Sequence, residues 1–231
     1  MTTGAPVATK YTFDFVRRSL PEQARSVLEI GCGAGELAAR LAGAGLQVLA
    51  LDSDSACVAE AKARGVDAVA LDWPSAIEQR FDAVLFTRSL HHIHDLDGAI
   101  AEAVAVLRPG ERVIVEDFRS EGGGPCGRAW FSGLVRLLHS AGAFRPDFDL
   151  EHTLGKIETV DHEHPLHSSG AIADALARAG PVEADDSAYY FRYLEADLRS
   201  PDAVCRLLEY ELEMISADAI EALGKRFVLS T

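Results

Sequence analysis

Basic side chains are scarce in this sequence. Lys and Arg number 22 against 36 Asp and Glu, a formal net charge of −14. An acidic surface repels phosphate backbones and anionic lipid, which speaks against a nucleic-acid substrate. Long apolar runs are missing as well. None reaches about 18 residues, so no membrane span is expected. The opening stretch MTTGAPVATKYTF has neither the charged region nor the apolar block of a secretory leader. Cys32, Cys57, Cys126 and Cys205 show neither metal-ligand nor disulfide spacing, which fits reduced thiols in a cytoplasmic protein. There is no internal repeat and no HExxH pattern. The segment HEHPLH at residues 162–167 does gather His162, Glu163, His164 and His167. Alternating ligands on an extended segment suit a divalent cation. Yet Pro165 breaks a helix there and no second carboxylate is tied to the cluster by spacing, so no metal site is assigned.

What is present is a sequence of 231 residues, 48% hydrophobic and 25% charged, enough for one α/β domain with its own core. The run VLEIGCGAGELAA at residues 27–39 reads as an apolar strand, a turn dense in glycine (Gly31, Gly33, Gly35) and a helix opened by Glu36. That arrangement leaves free backbone N–H groups at a helix N-terminus, and glycine lets a ligand approach them. The turn reads GxGxG, not the GxGxxG of dinucleotide-binding proteins, and Glu36 at the helix start would repel a pyrophosphate. A second buried strand, residues 46–51, ends in Asp52, 21 residues after Gly31. A carboxylate at that interval can accept from both hydroxyls of a ribose. It could also cap the helix over residues 55–64, a role open to Ser53 and Asp54 too. A third strand, DAVAL, runs into Asp72 and Trp73, with Pro74 behind them. A fourth, AVLFT, follows Arg80, Phe81 and Asp82. It leads to RSLHHIHD at residues 88–95, a helix over 96–107, and the turn Arg108-Pro109-Gly110 into a fifth strand over 112–115. Strands alternating with helices across residues 26–118 imply a doubly wound parallel sheet, whose carboxyl ends converge on one ligand crevice.

Residues 27–39 closely resemble motif I of the class I S-adenosylmethionine-dependent methyltransferases, with Glu29 in that family's acidic position. The RSLHHIHD segment resembles the family's "LHH" segment after strand four, and Leu-Arg-Pro-Gly before strand five recurs in the family. The resemblance implies a Rossmann-like, mostly parallel seven-stranded sheet with helices on both faces. It also implies S-adenosyl-L-methionine as cofactor, with S-adenosyl-L-homocysteine as its product. The cofactor-binding set it implies is Tyr11, Glu29, Gly31, Cys32, Gly33, Gly35, Asp52, Ser53, Asp72, Trp73 and Arg88. Within that set Asp72 would accept from the adenine amine, Trp73 would contribute its N–H or stack, and Tyr11 would lie on a helix lidding the cofactor. Tyr11 packing on the sheet is the other reading.

Beyond strand five, residues 119–165 read as a partly helical insertion roofing the crevice, with a helix over 128–141 and an irregular stretch from 143. Residues 166–231 supply C-terminal helices and edge strands. Ser168 or Ser169 caps a helix over 170–179, strand six lies within 182–194, and Pro201 opens a helix to residue 215. Strand seven over 225–230 is the antiparallel edge strand that the resemblance implies. The roof's large apolar residues, Trp130, Phe131, Leu134, Phe144 and Phe148, suit an apolar or aromatic small-molecule acceptor. His91, His162 and His164 are the candidate proton acceptors. The favoured function is methyl transfer to a small metabolite. A nicotinamide-dependent reductase and a non-catalytic binder of the same cofactor are the alternatives.

Overall fold

Strand β1 (Ser26–Ile30) is buried along its whole length, and its side chains alternate between two cores. In the computed structural model, which describes residues 6–120, 122–158 (157–158 by backbone only) and 167–231, seven strands form one sheet in the order β3-β2-β1-β4-β5-β7-β6. The others are β2 (Gln47–Asp52), β3 (Asp67–Ala70), β4 (Phe81–Thr87), β5 (Leu107–Phe118), β6 (Val182–Ser187) and β7 (Gly224–Ser230). The pairs β1–β2, β1–β4, β2–β3 and β4–β5 are parallel. β7 runs against β5, since the Arg119 amide donates to Leu223 O at one end and the Thr231 amide to Glu111 O at the other. His162, Glu163 and His164 lie outside the described residues, so the metal reading and two of the three candidate bases have no structural account.

The chain divides into two compact units. One comprises Tyr11–Asp117, Leu166–Asp185 and Arg226–Thr231, and it holds most of the sheet. On one face Leu28, Ile30, Val84 and Phe86 meet Leu96, Ala99 and Ile100 of α4 (Leu96–Ala105) and Ile172 and Leu176 of α7 (Ser169–Ala179). On the other, Val27, Ala50, Ala83 and Leu85 meet Phe15 and Val16 of α1 (Val7–Ser19), Leu37 and Leu41 of α2 (Glu36–Gly43), and Val58 and Ala61 of α3 (Ser55–Ala63). Helices on both faces bury the strands on both sides, which is why β1 and β4 read as unbroken apolar runs. Asp82 joins strand starts at the far end. It accepts from the amides of Arg25 and Ser26, both at 2.8 Å, and from the Arg108 guanidinium. Burial pushes the Asp82 carboxyl up, but these donors outweigh it and hold it below its usual value.

The other unit comprises Met1–Lys10, Phe118–Pro165 and Asp186–Lys225. It contains α5 (Pro125–Ser140), α6 (Leu150–Glu158), a 3-10 turn at Tyr190–Tyr193 and α8 (Pro201–Ser216). Its aromatic rings pack on one another. Phe131 stacks on Tyr190 at 5.2 Å, and Trp130 meets Tyr190 and Tyr210, both at 5.8 Å. Phe144 stacks on Phe148 at 3.7 Å. Glu211 of α8 is fully buried and accepts from the amides of Tyr189, Tyr190 and Phe191 at 2.6–2.9 Å. Burial pushes its carboxyl up to about 7 against the pull of those amides.

Five expectations need correction. β7 is not an edge strand; it lies between β5 and β6, and β6 forms the edge. That edge carries exposed Glu183, Asp185 and Asp186. β4 begins at Phe81, because Phe81 already pairs with Leu107 before the register shifts. β5 accordingly begins before the Arg-Pro-Gly turn, which sits inside the strand with Gly110 at φ 81°. The stretch after residue 143 is not wholly irregular, since it contains α6. Strand six stops at Ser187 and gives way to the 3-10 turn.

Candidate active site

β1 delivers the chain into the glycine turn, where Gly31, Gly33 and Gly35 have φ of 74°, 52° and 77°. These are left-handed conformations that glycine adopts without a Cβ penalty. The turn is held from below, with Leu51 O accepting from the Gly31 and Cys32 amides at 2.8 and 2.9 Å. The glycines serve different ends. A Cβ at Gly31 would come within 2.3 Å of Ser89 Cβ, and one at Gly35 within 2.6 Å of Ala61 Cβ. A Cβ at Gly33 would meet nothing within 4 Å. Of the three, only at Gly33 would a Cβ therefore project into open space.

That space is a crevice of about 460 Å³ at the carboxyl ends of β1 to β4. Gly31, Gly33, Asp52, Ser53, Asp72, Trp73 and Arg88 of the expected cofactor set line it. Asp52 Oδ2 accepts from the Gly33 amide at 2.7 Å and Oδ1 from the Asp54 amide at 2.9 Å. The capping alternative for Asp52 falls to Asp54, whose carboxylate accepts from the Ala56 amide at 2.8 Å. The exposed Asp72 carboxylate accepts no hydrogen bond among the described residues. The Trp73 indole is pinned by donation from Nε1 to Ala99 O at 3.0 Å. Arg88 is a non-glycine residue at φ 63°, an uncommon conformation found at sites where the surroundings over-determine it. Its amide donates to Glu116 O at 2.7 Å, and Nη1 donates to Thr12 Oγ1 and Glu116 Oε1 at 3.3 and 3.2 Å.

Four expected residues do not line the crevice. Glu29 is 1% exposed, and Thr87 Oγ1 donates to its Oε1 at 3.2 Å. Burial pushes its carboxyl up to about 7, against the pull of Thr87, Arg88 and the Ala38 amide, with Asp52 adding to the rise. Cys32 is buried in the core beneath α2, where burial, and then Glu29 and Asp52, push the thiol up to about 12. Gly35 packs on α3, as above. Tyr11 lies under the Arg226 guanidinium, 4.0 Å from its ring centroid. Of the imidazoles, His92 and His94 line the crevice, whereas His91 is 3% exposed. The His91 Nδ1 lies 2.7 Å from Asp117 Oδ1, and its ring lies 4.0 Å from that of His92.

Sequence reasoning did not find two participants. Ser89 Oγ donates to Ile30 O at 2.5 Å and so ties the end of β4 to the end of β1. Arg226 binds the buried Glu116 carboxylate through Nε and Nη2 at 2.9 and 2.6 Å. An arginine inside the apolar run RFVL and a glutamate inside IVED each signal a buried charge in need of a partner, without saying which partner it finds.

A doubly wound sheet with a glycine turn after β1 and carboxylates after β2 and β3 defines a Rossmann-like α/β protein of the nucleotide-cofactor class. Residues 28–115 match a family model described as a methyltransferase domain. The nocamycin O-methyltransferase of Saccharothrix syringae is 29% identical over 195 residues, covering 79% of this chain and 66% of that protein. The 27-O-demethylrifamycin SV methyltransferase of Amycolatopsis mediterranei is 35% identical over 123 residues, covering 48% of this chain and 45% of that protein. A solved S-adenosylmethionine-dependent methyltransferase from Archaeoglobus fulgidus shares the fold at 14% identity, with a TM-score of 0.59 over 96% of this chain and 94% of that one. Over residues 28–115 the chain thus carries a methyltransferase domain, and it is similar to methyltransferases in sequence and in fold. The matches span 66% and 45% of the lengths of these two curated relatives. Among the described residues no helix is long and apolar enough to cross a membrane.

Proposed function

We propose that the protein transfers a methyl group from S-adenosyl-L-methionine to a small-molecule acceptor. The observation that carries this is the Asp52–Gly33 pairing: a carboxylate at the end of β2 is bonded to a crevice-lining glycine at which a Cβ would meet no neighbour. The residues fit the cofactor. Asp52 retains lone pairs for the ribose hydroxyls, and Asp72 is an unspent acceptor for the adenine amine, beside the fixed indole of Trp73. Nε and Nη2 of Arg88 make no hydrogen bond among the described residues, so they are available to a carboxylate. The cofactor, when bound, supplies a sulfonium methyl with its leaving group attached. The protein must hold it, orient the acceptor and, for a hydroxyl acceptor, take a proton.

For that proton we assign His91, whose Nδ1 lies 2.7 Å from Asp117 Oδ1, a carboxylate placed to orient the imidazole. His92 stands on the same ring pair and faces the crevice. The acceptor is proposed to be an apolar or aromatic small molecule, as the large apolar residues of the sequence after β5 suggest; the relatives are named for the nocamycin and 27-O-demethylrifamycin SV that they methylate. Phe131 and Phe144 are buried and ring-stacked, so they support the packing of that region, and Phe148 and Trp130 are its better candidates for contact. A nicotinamide reading is disfavoured by Glu36, which sits at the start of α2 where a pyrophosphate would lie. Titration with S-adenosylhomocysteine and with NADH tests the cofactor, and label transfer from S-adenosylmethionine to a metabolite panel tests turnover. Binding of NADH alone, or cofactor binding without transfer to any acceptor, would reject methyl transfer.

A further inference from the structure

Four segments distant in sequence meet at one carboxylate. Glu116 of β5 is 1% exposed. Its Oε2 receives the two-pronged donation from Arg226 of β7, and its Oε1 accepts from Thr12 Oγ1 of α1 at 2.5 Å and from Arg88 Nη1 at 3.2 Å. Arg226 is itself buried. Its guanidinium lies 4.0 and 4.4 Å from the ring centroids of Tyr11 and Phe15 of α1, and Nη2 donates to Tyr11 O at 3.3 Å. The partition is unequal. Arg226 holds Glu116 by two short charge-assisted bonds, both to Oε2. Arg88 holds it by longer bonds shared with Thr12. One carboxylate thus lies between two guanidiniums, and the more loosely held of the two is the one that lines the crevice.

We infer that Arg226, Glu116 and Thr12 are positioning residues that set how freely Arg88 is presented to an anionic ligand group, and so couple the order of α1 to binding in the crevice. The inference rests on reading the crevice as the S-adenosylmethionine site. With Arg226 removed, Glu116 remains a buried carboxylate, and the guanidinium already bonded to it is that of Arg88. A buried charge left without its partner is costly, so Glu116 draws Arg88 inward and the crevice loses its cation. Neutralising Glu116 in the same protein removes that pull. The two effects have opposite sign, which separates positioning from loss of packing. Coupling is reciprocal, so a ligand that engages Arg88 also favours the arrangement in which α1 is docked.

The test is calorimetric titration of the full chain with S-adenosylhomocysteine, alongside limited trypsin digestion at Arg17 and Arg18, both exposed on α1. Arg226→Gln should weaken binding about tenfold to a hundredfold, as Arg88→Gln should, this being the range of one charge-assisted contact. Arg226→Gln combined with Glu116→Gln should bind within a few-fold of the parent. Thr12→Val, which keeps the side chain's shape, should weaken binding several-fold, and it carries the test if Arg226→Gln does not fold. Ligand should slow cleavage after Arg17 and Arg18 in the parent and much less in the Arg226→Gln and Thr12→Val variants. Parent-like affinity in Arg226→Gln and Thr12→Val, or a double variant no better than the single, would overturn the inference while leaving the cofactor assignment standing. A parent that binds no S-adenosylhomocysteine would overturn the assignment itself, and this inference with it.

Discussion

Replacing Asp52 separates what the carboxylate does for the protein from what it does for a ligand. Both of its oxygens already accept backbone donors, Gly33 N at 2.7 Å and Asp54 N at 2.9 Å. Asp52→Ala removes these and the two charge-assisted bonds proposed to the ribose. At about 1.5–3 kcal/mol each, the ligand bonds together amount to roughly 3–6 kcal/mol, a loss of at least about a hundredfold in affinity. Asp52→Asn looks milder, since an amide keeps one acceptor oxygen. The geometry says otherwise. An amide NH₂ placed against either backbone N–H sets donor against donor. The Asn oxygen can satisfy Gly33 only by turning its NH₂ to Asp54. Asn should therefore lose about tenfold or more and approach Ala rather than the parent. Calorimetric titration with S-adenosylhomocysteine reads both, and thermal melting should fall only slightly because Asp52 is partly exposed. An unchanged isotherm in Asp52→Ala would refute the ribose assignment. Parent-like binding in Asp52→Asn would refute the argument that both oxygens are committed.

Gly33→Val should abolish S-adenosylhomocysteine binding with the far-ultraviolet circular dichroism unchanged, because its Cβ enters open crevice. Gly31→Ala and Gly35→Ala should instead lower the melting temperature, through contacts of 2.3 Å with Ser89 and 2.6 Å with Ala61. Glu29 binds its proton more tightly when folded, about 7 against an ordinary 4.5. Its contribution is then full below pH 4.5 and is lost as pH rises through 7, a change of about 3 kcal/mol. Glu29→Gln should flatten that slope, so denaturant midpoints of parent and variant should converge in acid and diverge in favour of the variant at pH 8; parallel profiles would refute a raised carboxyl. Cys126 and Cys205 are exposed and should alkylate with iodoacetamide at pH 8, while Cys32, with its thiol pushed up to about 12, should stay unmodified in the folded protein by mass spectrometry.

Much of the cofactor half of the site was legible because its signals are local. The apolar runs of β1, β2 and β4, the glycine turn, and the acids at residues 52 and 72 each stand at the end of a strand. A parallel sheet brings such ends together whatever the details. What was not legible depends on pairing across the chain. Glu116 meets Thr12 104 residues away and Arg226 110 residues away, and no periodicity reports that. Ser89 is a small polar residue with no local mark of its bond to Ile30. Strand order is equally silent, since nothing local in GKRFVLS says that β7 enters between β5 and β6. α6 was missed because nine residues with a glycine and two imidazole or hydroxyl side chains give little helical pattern. Glu29, Cys32 and Gly35 belong to the motif by position, yet they support the turn from beneath.

The displacement of β7 inward has a consequence for the behaviour of the protein in concentrated solution. It leaves β6, with its exposed Glu183, Asp185 and Asp186, as one open border of the sheet, and the four-residue β3 as the other. An unpaired border is a template on which another copy can add a strand. Brevity protects one side and like charge the other, so colloidal stability here is partly electrostatic.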